Sequence, residues 1–149
     1  MDIARPIPRE AIVEVRDACL CLASQRAARR LARRFDRAFQ PFGLTNGQFS
    51  LMAAVSGMGD PTVGVLSDFL AMDRTTATAL LKALARRGLV TVAADKADRR
   101  VRRVSLTPAG VETLAAALPV WRGEHARLEG ELTAETAECA RTALRELAR

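Results

Sequence analysis

The chain has no tyrosine, one histidine, one tryptophan and only two lysines, Lys82 and Lys96, among its 149 residues. Each scarcity closes off a class of activity. With one His, three scattered Cys and no glycine-rich phosphate loop, no acid, base and nucleophile converge, so the chain is not expected to be an enzyme. The cysteines are odd in number and lack framework spacing, which fits a reducing compartment and not a secreted disulfide scaffold. No apolar run approaches the roughly 20 residues that span a bilayer, and Met1-Asp2-Ile3-Ala4-Arg5 lacks the apolar stretch of a signal peptide. A soluble cytoplasmic protein is expected, without membrane association, cofactor or metal.

What is present is a 49% hydrophobic composition, enough for one globular domain with a sizeable core. The net charge of +6 is unevenly placed. Arg26 to Arg37 holds six arginines against one aspartate, and Arg86 to Arg103 holds seven basic residues against two aspartates. Each stretch therefore carries +5 and the remainder carries −4. Arginine excess alone also follows from a GC-rich genome, so only the clustering points to an anionic partner. The Arg26 to Arg37 run could attract DNA phosphate or a carboxylate, or simply solvate one face of a helix.

Pro6 and Pro8 mark the start of one long helical pattern ending near Pro41, with Ile12, Val15, Cys19 and Leu22, then Leu31, Phe35 and Phe39, at helical spacing. Such a helix has more apolar face than this core can cover, and a second copy of the chain is the simplest partner. The C-terminal part repeats the excess: Pro108 opens a helix carrying Val111, Leu114, Leu118, Trp121, His125 and Leu128, Pro119 should kink it, and a last helix starts at Thr133. In between, Thr45 and Gln48 have capping-box spacing, Gly57, Gly59, Asp60 and Pro61 break the chain, and Thr62 caps a helix with Val65, Leu66, Phe69 and Leu70 inward. After a turn at Ala71-Met72-Asp73 comes a helix burying Ala77, Leu80, Leu81 and Leu84 and facing Arg74, Thr75, Thr76, Thr78 and Lys82 outward.

This order reads as a helix-turn-helix whose second helix presents small polar groups to base edges. Threonines near a helix start also serve merely as caps. Gly88 ends the helix, and Leu89 to Val92 and Val101 to Leu106 form a hairpin with the polar tip Ala94 to Arg100. Asp98, two residues before Arg100, is expected to hold that guanidinium for a narrow minor groove.

The segments Phe42-Gly43-Leu44-Thr45 with Gln48-Phe49 and Leu51, Met72 to Thr76 with Leu80, Leu81 and Leu84, Arg86 to Val90, Asp98-Arg99-Arg100, and Leu106 to Gly110 together closely resemble the MarR family of bacterial transcriptional regulators. The resemblance implies a mainly α (α+β) fold with an N-terminal dimerisation helix over 1–42, a winged helix-turn-helix lobe over 43–107 and C-terminal dimerisation helices over 108–149. It further implies a homodimer reading two half-sites of a near-palindromic double-stranded operator, roughly ten base pairs apart. Repression is the family default, relieved by a small aromatic or phenolic effector or by cysteine oxidation. Thr75, Thr76 and Thr78 align with base- and phosphate-contacting positions, and Asp98 and Arg100 with the wing pair beside Arg99. The chain departs from the pattern at Ala79 and Ala83, where relatives often carry Arg or another polar residue, which shifts weight to Lys82 and the wing.

Two further constellations stay open. Trp121 and His125, one turn apart, could wall an effector pocket or belong to the core or dimer seam. Cys19 and Cys21 lie where MarR-like peroxide sensors carry a reactive thiol, but on an unbroken helix they would point to opposite sides, leaving Cys139 of the last helix as partner across a dimer. Those sensors activate the thiolate with Tyr hydroxyls, which this chain lacks, and Cys19 falls on the apolar stripe of a core residue. A winged helix acting only as a protein-binding adaptor is the remaining alternative.

Overall fold

The computed structural model describes residues 7–149; Pro6 and the Met1 to Arg5 segment lie outside them. The order of elements is α1 (Arg9–Ala18), α2 (Leu20–Phe39), a 3-10 turn (Gln40–Phe42), α3 (Asn46–Met58), α4 (Val63–Phe69), α5 (Arg74–Arg86), β1 (Val90–Ala94), β2 (Arg102–Leu106), α6 (Pro108–Gly130) and α7 (Ala134–Leu147). The winged helix-turn-helix spans α3 to β2, flanked by long helices at both ends. Among the described residues no helix is long and apolar enough to cross a membrane.

Local chemistry sets most of the boundaries. The Thr45 hydroxyl accepts from the Gln48 amide while the Gln48 side chain accepts from the Thr45 amide, a complete capping box. Thr62, Asp73, Thr107 and Thr133 each cap the following helix through a side-chain oxygen. These caps satisfy amides that would otherwise have no partner within the helix. Gly88 has φ 69°, the left-handed conformation that lets α5 stop and the chain turn directly into β1.

One core joins the lobe to the long helices. Phe39 of α2, Leu51 and Met52 of α3, Leu66 of α4, Leu84 of α5 and Val104 of β2 are fully buried, and Phe39 stacks on Phe49 with ring centroids 4.3 Å apart. Ala117 of α6 closes the same core. β1 and β2 pair antiparallel from Val90↔Leu106 to Ala94↔Arg102. A bridge from Thr62 to Arg103 and a 2.9 Å bond from the Val104 amide to the Pro61 carbonyl tie the hairpin to the segment before α4.

Three expectations are corrected. The first long helix is two helices: Cys19 is extended (φ −76°, ψ 105°), and its Sγ accepts from the Leu22 amide at 3.4 Å as the cap of α2. Cys19 is thus a half-buried cap and not a core residue on a continuous stripe. Val65 and Phe69 face outward, at 50% and 66% exposure, because a helix as short as α4 buries only a narrow stripe, here Leu66 with Ser67. Val111 is also exposed. α6 continues as one helix through Pro119, which forgoes a single backbone bond.

Gly110 marks the tightest approach in the fold. A Cβ there would overlap the Leu89 carbonyl oxygen and lie 3.0 Å from the Leu89 carbonyl carbon, and backbone on both sides cannot yield cheaply. Gly110→Ala should cost about 2–3 kcal/mol, whereas Gly123→Ala, in open space on the same helix, should gain about 0.5–1 kcal/mol. Urea denaturation of the two variants checks this, and equal midpoints would refute the close approach.

Candidate nucleic-acid interface

The outward face of α5 and the hairpin are held at a fixed relation by the contacts just described, and between them lies a cleft of about 510 Å³. Arg74, Thr78 and Lys82 of α5 form one side, and Arg100 and Arg102 of the hairpin form the other. Four cations converging on one open cleft form a strong anion-attracting surface. Arg74, Thr75, Thr78 and Lys82 also share a second exposed depression on the outer face of α5, together with Ala79. The short side chain at Ala79 leaves that face without a long reader at its centre.

Thr76 takes the capping role. Its amide donates to Asp73 Oδ1 at 2.8 Å and its hydroxyl donates to Asp73 Oδ2 at 2.6 Å. The Thr76 hydroxyl, followed by its amide, holds the Asp73 carboxyl below its ordinary pKa. Thr76 is exposed, so its methyl and remaining lone pairs stay open to a base, but its hydroxyl proton is committed. Thr75 and Thr78 are exposed without any such tie.

At the tip of the hairpin Asp98 acts on backbone. Its Oδ1 accepts the Arg100 amide at 2.9 Å, and its own carbonyl accepts the Val101 amide at 3.0 Å. Asp98 therefore shapes the turn on which Arg100 sits and does not clamp the guanidinium, which is free to reach outward. The local hydrogen bond wins because a carboxylate two residues away meets the amide at no entropic cost. Arg99 lies beside Arg100 on the exposed tip and does not line the cleft.

Asp95 was not legible as a functional residue. Its carboxylate accepts the Ala97 amide at 2.7 Å, the Asp98 amide at 3.1 Å and the Nε of Arg103, and Arg103 Nη1 donates on to the Asp60 carbonyl at 3.0 Å. A single acid thus folds the tip and fastens it, through Arg103, to the loop before α4. Arg103, followed by the two amides, lowers its pKa to about 2. Arg87 is likewise committed, donating to the Gly43 carbonyl at 2.5 Å and the Phe42 carbonyl at 2.8 Å. Of the seven basic residues between Arg86 and Arg103, two are therefore structural.

The other candidate residues lie away from this surface. Trp121 is half-buried against the core with its ring centroid 5.0 Å from that of His125. His125 lies 6.5 Å from Phe35 of α2, and its Nδ1 is 3.7 Å from Glu129. The cavities between α2 and α6 are lined by arginines, Leu31, Leu128 and Glu131, without Trp121 or His125. Cys21 and Cys139 are exposed, with Cys21 Sγ accepting from Gln25 Nε2 at 3.2 Å.

Comparison with known proteins places this arrangement. A MarR family profile matches residues 42–101, the segment that carries the capping box, α4, α5, β1 and the tip of the hairpin. The transcriptional regulator HosA of Escherichia coli is 33% identical over 95 residues, 64% of this chain and 70% of that protein. The M. tuberculosis transcriptional regulator MosR, solved in complex with DNA, is 37% identical with a TM-score of 0.78 over 87% of this chain and 93% of its own. The chain belongs to the MarR family. The transcriptional repressor CouR, solved bound to a 23-mer DNA duplex, is 27% identical with a TM-score of 0.80, covering 97% of this chain and all of that one. As a MarR-family member the protein is a DNA-binding transcriptional regulator and not an enzyme.

The role of Asp95 has a pH signature. Its depressed pKa means that the anchored tip is fully present above the ordinary carboxylate value near ~3.9 and is lost as the pH falls through about 2. In Asp95→Ala the amides of Ala97 and Asp98 should exchange with solvent at neutral pH as fast as in an open loop, while α5 amides keep their protection. Amide hydrogen exchange checks this, and unchanged protection at the tip would rule out the anchoring role.

Proposed function

We propose that this MarR-family regulator works as a homodimer in the cytoplasm on a near-palindromic double-stranded operator, and that it is a repressor released by a small aromatic or phenolic effector. The observation that carries the DNA reading is the cleft on which Arg74 and Lys82 of α5 and Arg100 and Arg102 of the hairpin converge. With α5 in the major groove, Thr75 and Thr78 meet base edges or phosphates, and Thr76 offers its methyl. The hairpin then falls beside the adjacent minor groove, with Arg99 and Arg100 at its tip and Asp98 holding the backbone beneath Arg100. The two relatives solved with DNA, MosR and CouR, support DNA as the partner.

Self-association is supported by the apolar residues left uncovered at both ends of the chain. Ile12 and Val15 of α1 are each 55% exposed, and Leu144 and Leu147 of α7 are 53% and 64% exposed. Exposed apolar residues on the helices at both ends of the chain are what a second copy would cover. Dimerisation through 1–42 and 108–149 leaves the 43–107 lobe of each copy free to meet a half-site. For the effector, Trp121 and His125 lie where α6 packs on α2, so an aromatic ring admitted there acts between the dimer helices and the lobe. CouR, itself named a repressor, supports the sign.

The break at Cys19 favours a second reading, a thiol switch. Cys19 and Cys21 flank the start of α2 with non-helical backbone at Cys19, so the two are not held two apart within one helix. Peroxide would oxidise one thiol to a sulfenic acid with release of water. The other thiol would then displace hydroxide from that sulfur, forming the disulfide and a second water. A bond from either thiol to Cys139 of a second copy is the alternative pairing. Peroxide treatment should give a species lighter by two hydrogens and unable to bind DNA, restored by dithiothreitol and absent in Cys19→Ser. Full binding after oxidation would leave the effector reading alone.

Arg100→Ala should weaken binding to a genomic fragment selected by the protein by at least tenfold and lower the slope of log affinity against log salt by about 0.9, one phosphate contact. Sedimentation equilibrium should give twice the chain mass for the same variant. An unchanged affinity and slope would remove the wing from the interface, and a monomer that still binds the fragment would remove the dimer.

A further inference from the structure

We propose that the arginine face of α2 is a second anion site, built for a ligand carrying successive phosphate groups and separate from the surface formed by α5 and the hairpin. Arg26, Arg29, Arg30 and Arg33 line one cavity of about 460 Å³. A neighbouring cavity of about 610 Å³ shares Arg30 and Arg33 with it and continues to Arg37, and is also lined by Leu31, Leu128 and the paired Arg34 and Glu131. The two form one groove along α2. α2 packs chiefly on α3 and α6, whereas α5 packs on α3, α4 and β1, so the groove is not an extension of the cleft beside the hairpin.

Its charge is unbalanced, as at the cleft beside the hairpin and unlike the arginines that hold the fold together. Arg34 is matched by Glu124 and Glu131, Arg103 by Asp95, and Arg141 by Glu129 and Glu138. Among the described residues Arg26, Arg30, Arg33 and Arg37 form no ion pair, and Arg29 reaches only the Gln25 side-chain oxygen at 3.3 Å. These arginines recur at intervals of three and four, where like charges repel along a helix. A self-repelling row is the stability cost expected of a binding surface. From Arg26 to Arg37 it extends roughly 16 Å along the helix axis. One carboxylate would meet one or two of these guanidinia, whereas a chain of phosphates can meet each in turn, and the planar fork suits phosphate oxygens. Such a chain comes from a nucleic-acid backbone or from a free polyphosphate, and experiment separates the two.

The test compares the intact protein with Arg30→Gln/Arg33→Gln, which removes two charges and keeps helix propensity. A second pair, Arg26→Gln/Arg29→Gln, covers the case in which the first does not fold. Without ligand at low salt the variant should melt at or above the unsubstituted protein. Inorganic tripolyphosphate should raise the melting temperature of the unsubstituted protein and, by titration calorimetry, bind the variant at least tenfold more weakly. If the natural ligand is a DNA backbone, the salt slope on a non-specific duplex also falls by about 1.8, two phosphate contacts. If it is a free polyphosphate, the slope stays and only the tripolyphosphate response is lost. In an Arg100→Ala background the Arg30→Gln/Arg33→Gln pair should still lower tripolyphosphate affinity at least tenfold, so failure of the wing reading and failure of this one are distinguishable. Equal tripolyphosphate binding by both proteins together with an unchanged salt slope overturns the proposal.

Discussion

The arrangement of the whole regulator depends on the junction at which α5 ends, the hairpin begins and α6 starts. The Leu89 carbonyl accepts the Thr107 amide at 3.1 Å, and the Thr107 hydroxyl donates to the Gly88 carbonyl at 2.6 Å while accepting the Gly110 amide at 3.0 Å. Gly110 has no side chain to hold α6 away from Leu89. Leu89 and Val90 are buried on the other side of the same peptide units. With backbone bonds on one face and core on the other, three elements share one set of coordinates. The direction of the hairpin and the axis of α5 then follow, since β1 pairs with β2 from Val90↔Leu106 outward.

Around that junction the arginines divide by partner, and the division separates structure from function. Arg87 holds the turn after α2 through two carbonyls, Arg103 holds the hairpin through Asp95 and Asp60, and Arg34 bridges α2 to α6. In the last case the Arg34 guanidinium, more than Arg127, keeps the Glu124 carboxyl below its ordinary pKa. A guanidinium whose donors point at carbonyls or carboxylates has little left for a phosphate. Among the described residues, those without such partners include Arg74, Arg100 and Arg102 at the cleft and the row on α2. Formal charge over a stretch of sequence therefore overstates what a partner meets.

Features decided within four residues were legible in the sequence. The capping box at Thr45 and Gln48, the cap at Thr62 and the helix end at Gly88 are each settled between a residue and the adjoining turn. The lobe they delimit was legible for that reason, as were Arg74, Thr75, Thr78 and Lys82 as an outward set. The break at Cys19 was not, because apolar spacing continues across it and neither Pro nor Gly marks it. Nor was Asp95, whose decisive partner Arg103 comes near only after β1 and β2 pair. Asp98 was assigned the guanidinium of Arg100 and took its amide, a choice between two donors on one residue that spacing alone does not decide. Val65 and Phe69 have the right period, but α4 is too short to bury more than a stripe.

The same junction limits how any signal can reach the DNA surface. α6 starts packed against Leu89 at Gly110, is bridged to α2 through Glu124, and carries His125 between Phe35 and Trp121. A ligand lodged between α2 and α6 changes operator affinity only insofar as it favours one placement of α6 over another. Any such change is delivered to α5 and the hairpin together, because both are pinned to its first turn. Under the thiol reading the perturbation starts instead at the α1/α2 break and acts first on the spacing of two lobes in a dimer, leaving each lobe intact. The two modes of control thus differ physically: one alters how a single lobe presents its helix and wing, the other alters the distance between two unaltered lobes.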